Sequence, residues 1–140
     1  TLPVDADWRH IVAQRMPYPF FGGALVESTE PVTGIDAKLR LYLDSGACAV
    51  DMESAGLARV ARRHGVPFLA LRAIADRADQ ALPRHSAGLI KPEGSLRAAG
   101  IARALAAGPD EWRRLKQAGE GFRSALATLR RILATDIFTD

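Results

Sequence analysis

The chain has 140 residues, 48% of them apolar and 25% charged, a balance that suits one globular domain with a continuous core and excludes a disordered or fibrous protein. A formal charge of +3 is paired with only 6% aromatic residues and no basic run interleaved with rings, so nucleic acid is not an expected partner. One cysteine, Cys48, cannot build an intrachain disulfide framework, and with no apolar run of about 18 residues and no leader-like start, a reducing, cytoplasmic setting is expected.

Asp5 is placed to cap a first helix over Ala6 to Met16, and Pro17 and Pro19 stop it, because proline lacks the amide donor and restricts the residue before it. Phe20 to Val26, interrupted by Gly22-Gly23, reads as a strand with a close backbone approach. Thr33 followed by Asp36 resembles a helix-start box, for a helix that runs to about Leu43 and ends at Asp44-Ser45-Gly46. Ala47 to Asp51 is a short apolar strand of the kind covered on both faces, which would bury Cys48. The next helix, from about Met52 to His64, has a well-specified stop in Gly65 and Pro67. Pro67 to Ile74 is a third strand, Ala75 to Gly94 a polar loop, and helices over Leu96 to Ala107 and Asp110 to Leu133 close the chain around Gly108-Pro109.

Strands alternating with helices imply an α/β layered sandwich with a mixed, mainly parallel sheet flanked by helices. Ligands in such sheets collect at the carboxyl ends of strands, and there two of these strands carry acids: Asp51-Met52-Glu53 and Asp76. If the strands are near neighbours, about 4.8 Å apart, the acids face one pocket and suit acid/base work or recognition of a diol. From spacing alone the reading of each as a helix cap or a satisfied loop carboxylate is the favoured one, and spacing does not decide the matter. Arg72 reads as a strand residue paired with a carboxylate. His10, His64 and His85 show no metal-ligand spacing, so no metal is expected.

Val50-Asp51-Met52-Glu53-Ser54-Ala55, then Val66-Pro67-Phe68 and Leu71-Arg72-Ala73-Ile74-Ala75-Asp76-Arg77-Ala78-Asp79, resemble the purine-nucleoside phosphorylase and methylthioadenosine/adenosylhomocysteine nucleosidase superfamily. The resemblance joins two motifs at their usual separation, with the helix and its Gly-x-Pro stop between them. It implies an enzyme that cleaves the N-glycosidic bond of a purine, adenosine-type nucleoside and releases adenine. Met52 would pack on the ribose, Glu53 would accept from its 2′- and 3′-hydroxyls, and Asp76 would act on the purine N7. Asp79 would supply a neighbouring charge to Asp76 or cap the following turn. Gly23-Ala24-Leu25-Val26-Glu27-Ser28 is similar to the family's strand ending against the base, which puts Pro31 and Val32 in the base pocket, although no aromatic ring lies between Phe21 and Tyr42 to stack on a purine.

These types suit the reaction. Breaking the bond leaves negative charge on the purine and positive charge on the sugar, so an acid at N7 and a carboxylate at the ribose each stabilise one half. No cofactor is implied beyond phosphate as a co-substrate.

The resemblance covers the later part of the family's fold. Its first strand, Gly-rich loop and water-activating glutamate have no counterpart here, so residues 1–140 are expected to be the carboxy-terminal portion of a single domain with the amino-terminal half absent. The alternative to an enzyme is then a non-catalytic nucleoside-binding or structural module, or an inactive fragment awaiting its complement. Self-association into a homo-oligomer is expected.

A narrower resemblance, to the hopanoid-biosynthesis-associated phosphorylase-like proteins, rests on three stretches: Gly22 to Val26, Ala73 to Asp79 with Leu82-Pro83, and the tail from Phe122-Arg123 to Leu129-Arg130. It implies adenosylhopane, a lipid-linked nucleoside, as substrate. Between Arg103 and Arg131 basic residues outnumber acids, so these helices either lie peripherally on the inner membrane face or present an ordinary solvated surface.

Overall fold

The computed structural model describes residues 2–83, 102 and 106–138. Helix α1, Ala6–Arg15, begins where Asp5 accepts a hydrogen bond from the Trp8 amide at 2.7 Å, and it ends ahead of Pro17. Strand β1, Leu25–Glu27, is followed by helix α2, Ile35–Ser45. The Thr33 box is not formed. Gly34 occupies the cap position with no side-chain bond, and at the other end Gly46 takes φ +65° and donates to the Tyr42 carbonyl at 2.7 Å.

Strand β2, Ala49–Asp51, leads into helix α3, Ser54–Arg63. Its expected stop is present in full: Gly65 has φ +64°, its amide donates to the Arg62 carbonyl at 3.2 Å, and the Val66 amide donates to Ala61 at 2.9 Å. This is a Schellman closure, and Pro67 then bars any continuation. Helix α4, Pro109–Leu133, opens on Pro109 with Asp110 and Glu111 in its first turn and closes on Arg130 and Arg131, the arrangement that complements the helix dipole. A short 3-10 turn follows at Asp136–Phe138.

The sheet is smaller than expected. Among the described residues it holds β1 and β2, parallel, with Leu25 opposite Ala49, Val26 opposite Val50 and Glu27 opposite Asp51. Phe20 to Ala24 stays outside the strand, although the Cys48 amide donates to the Ala24 carbonyl at 2.9 Å. The close approach read from Gly22-Gly23 is at Gly23, where an added Cβ would stand 2.5 Å from Cys48 Sγ. Pro67 to Ile74 is not paired into the sheet either. Pro67 has no amide to donate, the Phe68 carbonyl instead accepts from the Asp5 amide at 2.8 Å, and Leu69 and Leu71 pack on the core.

That core is Val12 of α1, Ile132 of α4 and Ile137 of the 3-10 turn, with Met16, Leu69 and Leu71 against it. Cys48 is exposed, not buried, because it lies at an open end of a two-stranded sheet. The expected coverage of both faces of β2 is likewise absent among the described residues, with Val50 at 36% exposure. The fold is therefore α/β, with a parallel strand pair and flanking helices. The expected helix over Leu96 to Ala107, most of the preceding loop, and His85 and Arg103 fall largely outside the described residues.

Candidate functional site

The register of the sheet sets the first feature. Glu27 and Asp51 are directly opposed at the carboxyl ends of the two strands, and each carboxylate is committed to helix α3. Glu27 accepts from the Gly56 amide at 2.7 Å and from Arg59 at 3.0 Å. The Arg59 bond, followed by the Gly56 amide, holds its carboxyl below the usual range.

Asp51 accepts from the amides of Ser54 at 3.0 Å and Glu53 at 3.3 Å, from the Ser54 hydroxyl, and from Arg72, whose guanidinium also donates to Ser54 Oγ at 2.8 Å. Burial pushes the Asp51 carboxyl up, yet the Ser54 bonds, the Arg72 charge and the Glu53 amide outweigh it, and the net position is below the ordinary value. Asp51 is thus a cap and ion-pair partner, and Arg72 pairs with a carboxylate as its sequence setting suggested.

With Asp51 so fixed, Met52 and Glu53 occupy the turn between β2 and α3. Met52 is 46% exposed and the Glu53 side chain is open to solvent, with no capping bond of its own. Its carboxylate lies 3.7 Å from Arg72, four residues before Asp76, so Arg72 links the turn carrying Glu53 to the segment carrying Asp76.

Asp76 is held differently. Its Oδ2 is 2.6 Å from the Lys38 ammonium on α2, while Oδ1 is buried and has no hydrogen-bond partner among the described residues. Lys38 also donates to the carbonyls of Arg77 at 2.8 Å and Gln80 at 2.7 Å. Asp79 sits in a two-pronged bond with Arg77, at 2.9 and 2.8 Å, and that bond is the main reason its carboxyl lies below the usual range. The charge placed directly beside Asp76 is therefore a cation, Lys38.

Pro31 is exposed and Val32 half-buried, and the next residue, Thr33, accepts from the Leu82 amide at 2.9 Å. The segment chosen for the base pocket therefore borders the loop that follows Asp76. On the outer side of that loop an open groove of about 410 Å³ runs between Ile35, Asp79 and Gln80 and the first turns of α4.

Sequence reasoning passed over Lys38. Lys38 shares a helical face with the apolar Ile35, Leu39 and Tyr42, yet those three are exposed and Lys38 is the one turned inward. Gly121 was also missed: it lets α4 touch the backbone of Ala75, and a glycine amid good helix formers was the available signal.

Among the described residues no group of three His, Cys, Asp or Glu side chains is placed to hold a metal ion, and no helix is long and apolar enough to cross a membrane. His10 is bonded to Gln14 at 2.9 Å and His64 sits at the C-cap of α3. In comparisons with known proteins, the family model described as the phosphorylase superfamily matches residues 1–107, a span that holds every residue of the candidate site. No curated protein and no solved structure matches the chain.

Proposed function

Since the chain belongs to the phosphorylase superfamily, whose members give it an activity of nucleoside phosphorylase or nucleosidase kind, we propose that it cleaves the N-glycosidic bond of a purine, adenosine-type nucleoside and releases adenine. The observation that carries this reading is the state of the two carboxylates. Glu53 is open to solvent at the end of β2, where a sugar diol can reach it, and Asp76 keeps one buried oxygen without a hydrogen-bond partner among the described residues.

In this reading Glu53 accepts from the ribose 2′- and 3′-hydroxyls and Met52 packs on the sugar. Asp76 gives a proton to N7 as the bond breaks, so that the purine leaves neutral. An acid so placed contributes on the order of 10²–10⁴-fold. Pro31 and Val32 border the base, and Asp79 acts by shaping the loop through Arg77. No cofactor takes part; inorganic phosphate is the co-substrate if the reaction is phosphorolysis.

The narrower substrate we propose is adenosylhopane, a nucleoside carried on a lipid. Gly22 to Val26 and Ala73 to Asp79 support it, as do Arg123, Arg130 and Arg131 on the exposed surface of α4, which could meet an anionic membrane. Arg113, Arg114 and Lys116 add less to such a surface, because each is paired with an acid of the same helix. We also propose that copies of the chain associate through the exposed apolar side of α2.

The test is adenine release by the intact protein from 5′-substituted adenosines, followed chromatographically with and without phosphate. Release that requires phosphate, with a ribose 1-phosphate product, identifies phosphorolysis; release without it identifies hydrolysis. Binding of nucleoside with no release under either condition would favour a binding module.

A further inference from the structure

We propose that Lys38 is the positioning residue of Asp76: it holds Oδ2 and the loop behind it, and so fixes the place of the acid against the purine. The proposal rests on the reading of Asp76 as the group that acts on the base.

The argument starts from burial. The Lys38 side chain is 9% exposed, although lysine is among the residues least often buried unless paired. An ammonium has three donors and no acceptor. Here all are placed, on Asp76 Oδ2 at 2.6 Å, the Arg77 carbonyl at 2.8 Å and the Gln80 carbonyl at 2.7 Å. All three acceptors lie within five consecutive residues, about forty positions along the chain from Lys38, so one side chain fixes the acid and the course of the loop after it to α2. The helix meanwhile leaves Leu39 54% and Leu43 70% exposed. The lysine thus ties α2 to this loop, alongside the bond from the Leu82 amide to the Thr33 carbonyl just ahead of the helix.

The second observation is the asymmetry of the carboxylate. Buried polar atoms nearly always have a hydrogen-bond partner, and Asp76 Oδ1 has none among the described residues. Oδ2 is taken up by the ammonium, which leaves Oδ1 as the oxygen without a partner among the described residues. In the reaction a proton passes from Asp76 to N7, the electron pair of the glycosidic bond passes into the purine ring, and phosphate or water forms the new bond at C1′. The negative charge left on Asp76 then lies against Lys38 at Oδ2. Lys38 touches no substrate atom; it acts through Asp76.

The experiment uses the intact protein with Lys38→Met, Asp76→Asn and the double variant, read by steady-state kinetics and by backbone amide exchange. Lys38→Met is expected to lower kcat by about 10- to 100-fold with KM within about threefold, and to add nothing further on the Asp76→Asn background, since coupled residues are not additive. Amides from Arg77 to Leu82 should exchange at least about tenfold faster while those of α3 stay unchanged. Equal kcat losses with and without Asp76→Asn, or unchanged exchange across Arg77 to Leu82, would overturn the proposal. If Asp76→Asn alone leaves kcat at the parental value, the role of Asp76 falls, and the exchange measurement by itself decides whether Lys38 clamps the loop. Lys38→Gln, which keeps a donor toward the carboxylate, replaces Lys38→Met if that variant does not fold.

Discussion

Gly121 and Ala75 meet backbone to backbone: a Cβ added at Gly121 would collide with the Ala75 carbonyl oxygen. Helix α4 thereby presses on the residue immediately before Asp76. Replacing a mid-helix glycine by alanine ordinarily stabilises by roughly 1 kcal/mol. Gly119, two residues earlier with nothing within 4 Å of its added Cβ, should follow that rule. Gly121→Ala should do the reverse, lowering the melting temperature and the turnover, because α4 or the Ala75-Asp76 segment has to move. Thermal unfolding of the two variants checks this, and equal stabilisation by both would show that the contact is not firm.

The carboxylates at the strand ends predict a pH dependence. Glu27 and Asp51 both titrate below their ordinary values when folded, Glu27 through Arg59 and the Gly56 amide, Asp51 through Ser54, Arg72 and the Glu53 amide against the opposing effect of burial. A depressed folded pKa contributes stability that is present above the unfolded value, near pH 4, and is lost as pH falls through the folded value. Stability should therefore decline on acidification below about pH 5, and the double variant Glu27→Gln/Asp51→Asn should be less stable at pH 7 with a flatter profile. Urea unfolding between pH 3 and 7 measures it. A variant as pH-dependent as the parent would show that these two groups do not carry the effect.

What the sequence made legible divides along local and non-local lines. Asp5, Gly46, Gly65 with Pro67, and Pro109 signal helix ends through chemistry within a few residues of themselves, and the structure has those ends. Thr33 failed because a cap needs the right backbone at its own position, and Gly34 took that place. Pro67 to Ile74 reads as a strand from its composition, but a strand exists only with a partner, and Leu69 and Leu71 went to the helical core instead. The acids at Asp51, Glu53 and Asp76 were found from their motifs. The bonds of Asp51 to the first turn of α3 are local, but its pairing with Arg72 and the placing of Asp76 against Lys38 depend on contacts from distant segments, such as α2 onto the loop at residues 76–80.

Association should follow from α2. Ile35, Leu39, Tyr42 and Leu43 fall at helical spacing on one side and are 46%, 54%, 57% and 70% exposed, a continuous apolar stripe of the kind that marks an interaction surface. Sedimentation at micromolar concentration should show the protein larger than a monomer, and Leu39→Glu/Leu43→Glu should shift it toward monomer with an unchanged far-UV spectrum. A parent that sediments as a monomer at those concentrations would rule the stripe out as a self-contact.

Asp76 and Glu53 should separate by kinetics, because one acts on charge that develops only as the bond breaks and the other on groups present throughout. Asp76→Asn keeps the shape and can still donate a hydrogen bond, but it cannot give up a proton to N7. Its kcat should drop at least about 100-fold while KM changes little. Glu53→Gln removes the charge from a bond to the sugar hydroxyls, a difference of roughly 1.5–3 kcal/mol, felt by bound substrate and transition state alike. That appears as a KM raised by at least about tenfold with a smaller change in kcat. A 2′,3′-dideoxy substrate, which has no hydroxyls for Glu53 to hold, should be processed equally by the parent and by Glu53→Gln. If the dideoxy substrate distinguishes the two proteins as strongly as the parent nucleoside does, Glu53 is not the ribose ligand, and the open carboxylate at the end of β2 must serve something else.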